Sequence, residues 1–508
     1  MMSKSGIRDI VIAGGGSAGW MAAAALGRFL GHGHRLTLVE SDAIGTVGVG
    51  EATIPQIHLF NASLGIDERE FVAATSATFK LGIEFAGWVR PDHRYMHAFG
   101  VVGRGSGLIP FRQLWLRARA AGVAGPYGDY SFNETAARAG RMGRGNGQPG
   151  PVPDLAYAYH FDAALYAGFL RQLAEAAGVT RIEGKIERVE RDPASGDIAA
   201  LHLEADRRVA GDLFIDCTGF RSLLVGETLG TPFEDWSRYL PCDRALAMPC
   251  ARSDAFRPYT QSLARAAGWQ WRIPLQHRTG NGHVYSSAHL SDDEAERILR
   301  DNLDGEPLGD PRPIKFTSGR RTMPWTGNAI ALGLAAGFME PLESTSIHLV
   351  QSGIARLLTM LPASEDWSAE RDLFNRLSAT EWERIRDMIV LHYHANERVG
   401  EAFWDDCRAM PIPDTLAQKI AAFRASGTLV READELFTEE GWAQVLIGQS
   451  VLPAGASPLT DGLEPAELQG YLAAIADAGR RKAANLPTHA EFVAALTRGQ
   501  LARMSAVH

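Results

Sequence analysis

The chain has 508 residues, 45% of them hydrophobic and 22% charged, enough to bury a large core in two or three domains or in one large enzyme with a subdomain. With 60 acidic against 51 basic side chains the net charge is −9, which argues against nucleic acid and anionic membrane as partners. Cys217, Cys242, Cys250 and Cys407 show no C-x-x-C spacing, so neither a zinc site nor a disulfide framework is expected, and no metal ligands are assigned. The first apolar run reads as a β-strand rather than a leader, and no run reaches membrane-spanning length. A cytoplasmic setting is expected.

Ile10, Val11 and Ile12 form a β-branched run, followed by Gly14, Gly16 and Gly19 in G-x-G-x-x-G spacing and a helix-forming stretch from Met21 to Leu26. Strand, glycine turn and helix in that order predict a dinucleotide site. Gly14 permits the sharp turn, Gly16 lets a pyrophosphate approach the backbone, and Gly19 lets helix and strand pack closely. Ser17 and Ala18 open the helix whose free N–H groups would receive the phosphates. A second strand, 35–39, ends in Glu40, where a ribose-binding acid belongs. The chain carries one such fingerprint. One module suits FAD, whereas an enzyme with its own NADPH domain would usually show a second. Electrons are therefore expected from elsewhere.

Residues 41–60 form a second glycine-rich stretch, with Gly45, Gly48 and Gly50 interleaved with Val47, Val49 and Ile54. Residues 66–80 read as one helix, with Asp67 as N-cap, Glu70 completing a capping box and Lys80 near the end. On these residues alone Lys80 is a solvated helix-end lysine. Residues 93–100 alternate in strand fashion. Residues 101–154, and Gly140–Gly150 above all, read as a long loop. Phe161–Ala176 reads as a helix stopped by Gly178. Strands are expected over 180–182, 186–190, 199–205 and 213–217. The last runs into Thr218-Gly219, a second place for backbone to meet a nucleotide. Residues 240–290 read as antiparallel strands with a tight turn at Thr279-Gly280-Asn281-Gly282. A helix is expected from Ile347 to Leu361, and the chain reads as helical from 366 onward, with linker candidates at Pro411–Pro413 and Leu452–Pro458.

These elements predict an α/β fold: an FAD-binding Rossmann-like module with an inserted antiparallel sheet and a C-terminal helical substrate module. The flavin module would span 1–360 discontinuously, with inserted segments near 60–150 and 230–310. The helical module would span 361–508.

Trp269-Gln270-Trp271-Arg272-Ile273-Pro274 matches the W-x-W-x-I-P signature of the flavin-dependent halogenases of the tryptophan and indole type. Gly14–Gly19, Val47–Pro55, Thr78–Gly82, Asp216–Leu223 and Pro341–Ser346 match in the same order. The sequence thus resembles this family over most of its length. The resemblance implies that FADH2, supplied by a separate flavin reductase, turns O2 and halide (chloride or bromide) into hypohalous acid. That acid travels through the protein to a lysine beside an aromatic substrate. Lys80 matches that lysine and Glu343 the accompanying glutamate. On residues alone Glu343 is a helix-start acid. Thr345 and Ser346 match the halide-binding positions, with Ser346 replacing a glycine of the best-known tryptophan halogenases. Ala52, Val189 and Ile347 are carried over as flavin-contacting positions.

His97 and Phe99 match residues that sandwich the indole, and Phe437 falls where tryptophan-specific members place a tryptophan. Those members also carry a tyrosine pair and a glutamate that hold the amino-acid ends. Here the corresponding stretch is Ala425-Ser426-Gly427-Thr428-Leu429-Val430-Arg431-Glu432, which keeps only Glu432. A simpler or larger indole is therefore expected in preference to free tryptophan. A homodimer is compatible with the resemblance. Two other classes stay open at this point: an NAD(P)H-dependent flavin aromatic hydroxylase and a non-catalytic FAD-binding protein. Halide dependence separates the first, and absence of product from externally reduced FAD the second.

Overall fold

A computed structural model describes residues 6–44, 50–145, 152–253, 256–364 and 366–498. Gly45, Val47, Gly48 and Val49 lie outside these residues, as do 146–151 of the expected loop. The fold is mixed α/β. It divides into two units, each assembled from three stretches of chain: Met1–Ser76, Phe161–Ser237 and Phe316–Glu383 in one, Ala77–His160, Arg238–Lys315 and Arg384–His508 in the other. No helix among the described residues is long and apolar enough to cross a membrane.

The first unit is built on a six-stranded sheet ordered Trp325–Thr326, Ala329–Ala331, Leu213–Asp216, Asp9–Ala13, Arg35–Glu40 and Thr180–Glu183. All neighbours are parallel except Trp325–Thr326. Ile10, Val11 and Ile12 are buried to within 1% of full burial, as a central strand covered on both faces requires. The helix Ser17–Leu30 follows the central strand. The strands Ile186–Arg191, Ile198–Leu203 and Arg207–Ala210 form a separate antiparallel sheet.

The second unit is built on a seven-stranded sheet ordered Arg312–Lys315, Arg244–Ala247, Thr279–Tyr285, Gly268–Pro274, Thr260–Arg265, Gly82–Ala86 and Arg94–Ala98. Only Thr260–Arg265 and Gly82–Ala86 pair in parallel. The C-terminal helices belong to this unit.

Four expectations are corrected. The helix expected over 66–80 stops at Ala74. Asp67 does cap it, accepting from the Arg69 and Glu70 amides. At the other end the Thr75 hydroxyl bonds back to the Phe71 carbonyl at 2.7 Å and Ser76 turns left-handed (φ 51°), so the chain leaves the helix and continues as the strand Thr78–Lys80. Lys80 is thus a strand residue. The stretch 101–154 holds two helices, Phe111–Ala120 and Phe132–Arg138. Ser131 caps the second through the Glu134 amide, and Phe111, Leu114 and Trp115 anchor the first by burial. The expected turn Thr279–Gly282 lies inside a strand, with Gly282 opposite Trp271. A β-carbon at Gly282 would sit 2.0 Å from the Trp271 ring, so the glycine makes room across the sheet rather than turning the chain. Pro411–Pro413 joins the helices Ala402–Ala409 and Asp414–Ser426 within one unit and is no domain linker.

Candidate active site

The glycine loop of the first unit has the geometry its spacing demands. Gly14 adopts φ +107°, and a β-carbon there would lie 2.2 Å from the Cys217 carbonyl oxygen. A β-carbon at Gly19 would lie 1.9 Å from the Gly14 carbonyl oxygen, so both positions require glycine. Gly16 is different: nothing lies within 4 Å of a β-carbon placed there. Gly16 is also the N-cap of the helix Ser17–Leu30 and offers no side chain to cap it. An open backbone approach at an uncapped helix start is an anion cradle. It fits the pyrophosphate of a dinucleotide.

The carboxyl ends of the neighbouring strands surround this loop. Glu40 ends the adjacent strand and pairs with Arg181 at 2.6 Å. On the other side, Asp216 is fully buried and accepts from the Thr218 hydroxyl at 2.6 Å and from the Leu224 and Val225 amides. Burial pushes its carboxyl above the ordinary range, against the pull of those donors. The acid therefore builds the turn that brings Cys217 against Gly14. Ala52 is buried on the short strand Gly50–Ala52. Val189 sits in the separate three-stranded sheet, opposite Leu201.

Glu343, buried at 2% exposure, closes a single turn, Pro341–Glu343. Ser344 then turns left-handed (φ 58°), and the helix Ser346–Thr359 begins with Thr345 as N-cap. Thr345 makes no side-chain cap bond, so this helix start too presents backbone N–H groups without a capping oxygen from its own N-cap. Ile347 is buried in its first turn.

In the second unit Lys80 has no exposed surface. Its ammonium lies 5.2 Å from the centre of the Phe99 ring, within cation–π range. His97 lies on the strand Arg94–Ala98, and its ring centre is 6.0 Å from that of Phe437. The Gln444 amide ties the helix Glu439–Gly448 to that strand, accepting from the Ala98 N–H at 3.0 Å and donating to its carbonyl at 3.1 Å. Gly441 leaves the space His97 occupies, since a β-carbon there would lie 3.0 Å from Nε2. Within this unit the structure thus brings Lys80 to Phe99 and His97 to Phe437.

The stretch after Ala425 commits its charges internally. Glu432 is mostly exposed and pairs with Arg384 at 3.0 Å. Glu435 is buried and receives Lys419 at 2.9 Å, while Arg431 donates to the Glu435 carbonyl.

Sequence reading missed the residues that hold the Lys80 strand. Thr78 and Lys80 share a face of it. Residues 78–80 pair antiparallel with 158–160, setting Thr78 opposite His160. The Phe79 N–H donates to His489 Nε2 at 3.0 Å, and His489 Nδ1–H donates to the Phe256 carbonyl at 3.1 Å. Burial holds His489 down at about 4, so it is neutral. These partners stand 82 and 410 positions away from the residues they hold, beyond any local spacing signal.

The family model described as tryptophan halogenase matches residues 9–465. This chain belongs to that family. It is 33% identical to the tryptophan 6-halogenase SttH of Streptomyces toxytricini, over 96% of this chain and 98% of that one. Among solved structures it is similar to Xcc4156, a flavin-dependent halogenase from Xanthomonas campestris, with TM-score 0.93 and 49% identity over 96% and 98% of the two chains. BrvH, a flavin-dependent halogenase from Brevundimonas sp. BAL3, is similar with TM-score 0.92 and 44% identity, over 96% of this chain and 99% of that one. The protein is a flavin-dependent enzyme of the halogenase class.

Proposed function

We propose that the protein is an FADH2-dependent halogenase that places chlorine or bromine on an indole-type aromatic, with Lys80 and Glu343 as its catalytic residues. When bound, reduced FAD supplies the two electrons that, with O2 and halide, yield hypohalous acid. Gly14, Gly16, Ser17, Ala18 and Gly19 would hold its pyrophosphate and Glu40 its ribose, with Ala52, Val189 and Ile347 as further contacts. Thr345 and Ser346 would offer backbone N–H groups to the halide. Lys80 holds the hypohalous acid and directs its halogen at one ring carbon. A carbon–halogen bond forms, the oxygen leaves as water, and the ring proton departs, with Glu343 as its acceptor. His97, Phe99 and Phe437 sandwich the ring. The first unit then serves the flavin and halide and supplies Glu343, and the unit with the C-terminal helices supplies Lys80 and the rings that hold the aromatic.

The observation that carries this reading is the complete burial of Lys80. Burying an ammonium costs several kcal/mol, so a lysine kept there points to chemistry rather than solubility. The Arg384–Glu432 pair and the missing tyrosine pair support the second part of the proposal, that free tryptophan is a poor substrate. A zwitterion would find Glu432, the one acid kept from that set, already paired with Arg384. The reductase is a separate protein that delivers FADH2. The test is a panel of indole, substituted indoles and tryptophan, incubated with protein, FAD, NADH, a flavin reductase and each halide. Halide-dependent turnover of indoles above tryptophan is expected. Faster turnover of tryptophan, or hydroxylated product without halide, would overturn the reading.

A further inference from the structure

The W-x-W-x-I-P segment has no role in the chemistry proposed above, and the structure suggests one. Its tryptophans are packing residues. Trp269 is 1% and Trp271 7% exposed, and Trp269 packs against Trp88 at 6.3 Å. The proline is different. The Thr78 hydroxyl donates to the Pro274 carbonyl at 2.6 Å. With that proton committed, Thr78 Oγ1 can only accept from His160 Nδ1, which lies 3.1 Å away. His160 therefore carries its proton on Nδ1, and Nε2 accepts the Thr260 hydroxyl at 2.9 Å. Burial above all, with the neighbouring Lys80 ammonium, holds His160 well below its usual range and so keeps it neutral in this tautomer.

The result is one directed chain from Thr260 through His160 and Thr78 to Pro274. Thr260 and Pro274 stand on the neighbouring strands Thr260–Arg265 and Gly268–Pro274 of the large sheet. Thr78 stands two residues before Lys80, on the same face of its strand. Thr78, His160 and Thr260 are each 5% exposed or less, so every break in the chain would leave a buried polar group unpaired.

We propose that this Thr260–His160–Thr78–Pro274 chain is a positioning device that fixes where the Lys80 ammonium points, and that the W-x-W-x-I-P segment serves catalysis by ending it at the Pro274 carbonyl. The inference rests on Lys80 being the halogen-directing residue. Thr78, His160 and Thr260 act through Lys80 and touch neither substrate nor flavin in this scheme. The chain matters because halogen transfer to one ring carbon depends on placement, and a misplacement of about 1 Å can cost on the order of a hundredfold in rate.

The test compares Thr78→Val with Thr78→Ser, His160→Leu with His160→Asn, and Thr260→Val, with Lys80→Met as reference. Each protein is supplied with FAD, reductase, NADH, bromide and indole. The readouts are product per flavin oxidised, the ratio of ring positions brominated, KM against kcat, and thermal midpoint. For Thr78→Val and His160→Leu we expect kcat for product to fall by about tenfold to a hundredfold with KM for indole unchanged, and the ring-position ratio to shift. Thr78→Ser keeps the hydroxyl and so restores product and ratio, while His160→Asn keeps a donor at the Nδ1 position but loses the Nε2 acceptor, so its ratio matches that of Thr260→Val. Thr260→Val, should the other variants fail to fold, carries the same expectation for the ratio. If Lys80→Met abolishes product while the folded Thr78, His160 and Thr260 variants keep wild-type kcat and ring-position ratio, the positioning chain is wrong and the Lys80 reading stands. If Lys80→Met itself keeps product, both fall. Loss of kcat that Thr78→Ser fails to restore, with an unchanged ring-position ratio, would likewise overturn the device.

Discussion

At Gly19 a methyl group would lie 1.9 Å from the Gly14 carbonyl oxygen, backbone that cannot step aside. Gly19→Ala should therefore open the loop and weaken flavin binding by about tenfold or more, at least about 1.4 kcal/mol, as read by titration of FAD fluorescence. Unchanged affinity would remove the loop as the flavin's seat. Glu343 lends itself to the converse test, because Glu343→Gln keeps the shape of a buried side chain and removes its capacity to take a proton. We expect kcat to fall by about a hundredfold or more with flavin affinity intact, measured by single-turnover product formation. A variant with wild-type kcat would leave the ring proton to another acceptor.

Legibility in the sequence follows how far apart the interacting residues stand. The glycine loop is readable because the turn at Gly14, the open approach at Gly16 and the packing of Gly19 on Gly14 lie within six residues, whereas the approach of Cys217 to Gly14 is not legible there. The Thr78–Gly82 resemblance points to the role of Lys80 but not to its placement, because what ends the preceding helix is a left-handed Ser76 and a back-bond at Thr75 that spacing does not encode. The reason for Gly282 lies across the sheet at Trp271, so spacing along the chain suggested a turn instead. His160 and His489 gave no local signal at all.

At the scale of elements, the helix His489–Thr497 grips the strand Thr78–Lys80 through a histidine that must be neutral to accept the Phe79 N–H. Burial lowers His489 from 6.5 to about 4. Its folded value is depressed, so the unfolded chain takes up a proton near 6.5 and the folded chain only near 4. The contribution is fully present above about 6.5 and is lost as pH falls through that interval. The loss can reach about 3 kcal/mol for a fully buried imidazole. His283, buried in the strand Thr279–Tyr285, is likewise lowered to about 4 and adds to it. Thermal midpoints measured across this range should fall with acidity. The fall should be shallower in His489→Gln, whose amide oxygen can accept the same N–H without titrating. An identical slope in the variant would remove His489 as a source of the acid sensitivity.

At the scale of the molecule, each unit draws on three separated stretches of chain, and each keeps its own set of candidate residues. The glycine loop, Glu40, Glu343 and Thr345 belong to the unit with the parallel sheet, while Lys80, His97, Phe99 and Phe437 belong to the unit with the seven-stranded sheet. Family membership accounts for this fold and for flavin dependence, and the proposed division of labour gives each set a task. Its central claim is that halogen reaches the ring only by way of Lys80. The most direct measurement is mass spectrometry of indole incubated with bromide, O2, FAD, NADH and a flavin reductase, comparing the wild-type protein with Lys80→Met, with peroxide assayed in parallel. The account predicts brominated indole, marked by the bromine isotope pair, from the wild type. From Lys80→Met it predicts none, while flavin reoxidation and peroxide formation continue. Brominated indole at the wild-type rate from Lys80→Met would contradict it.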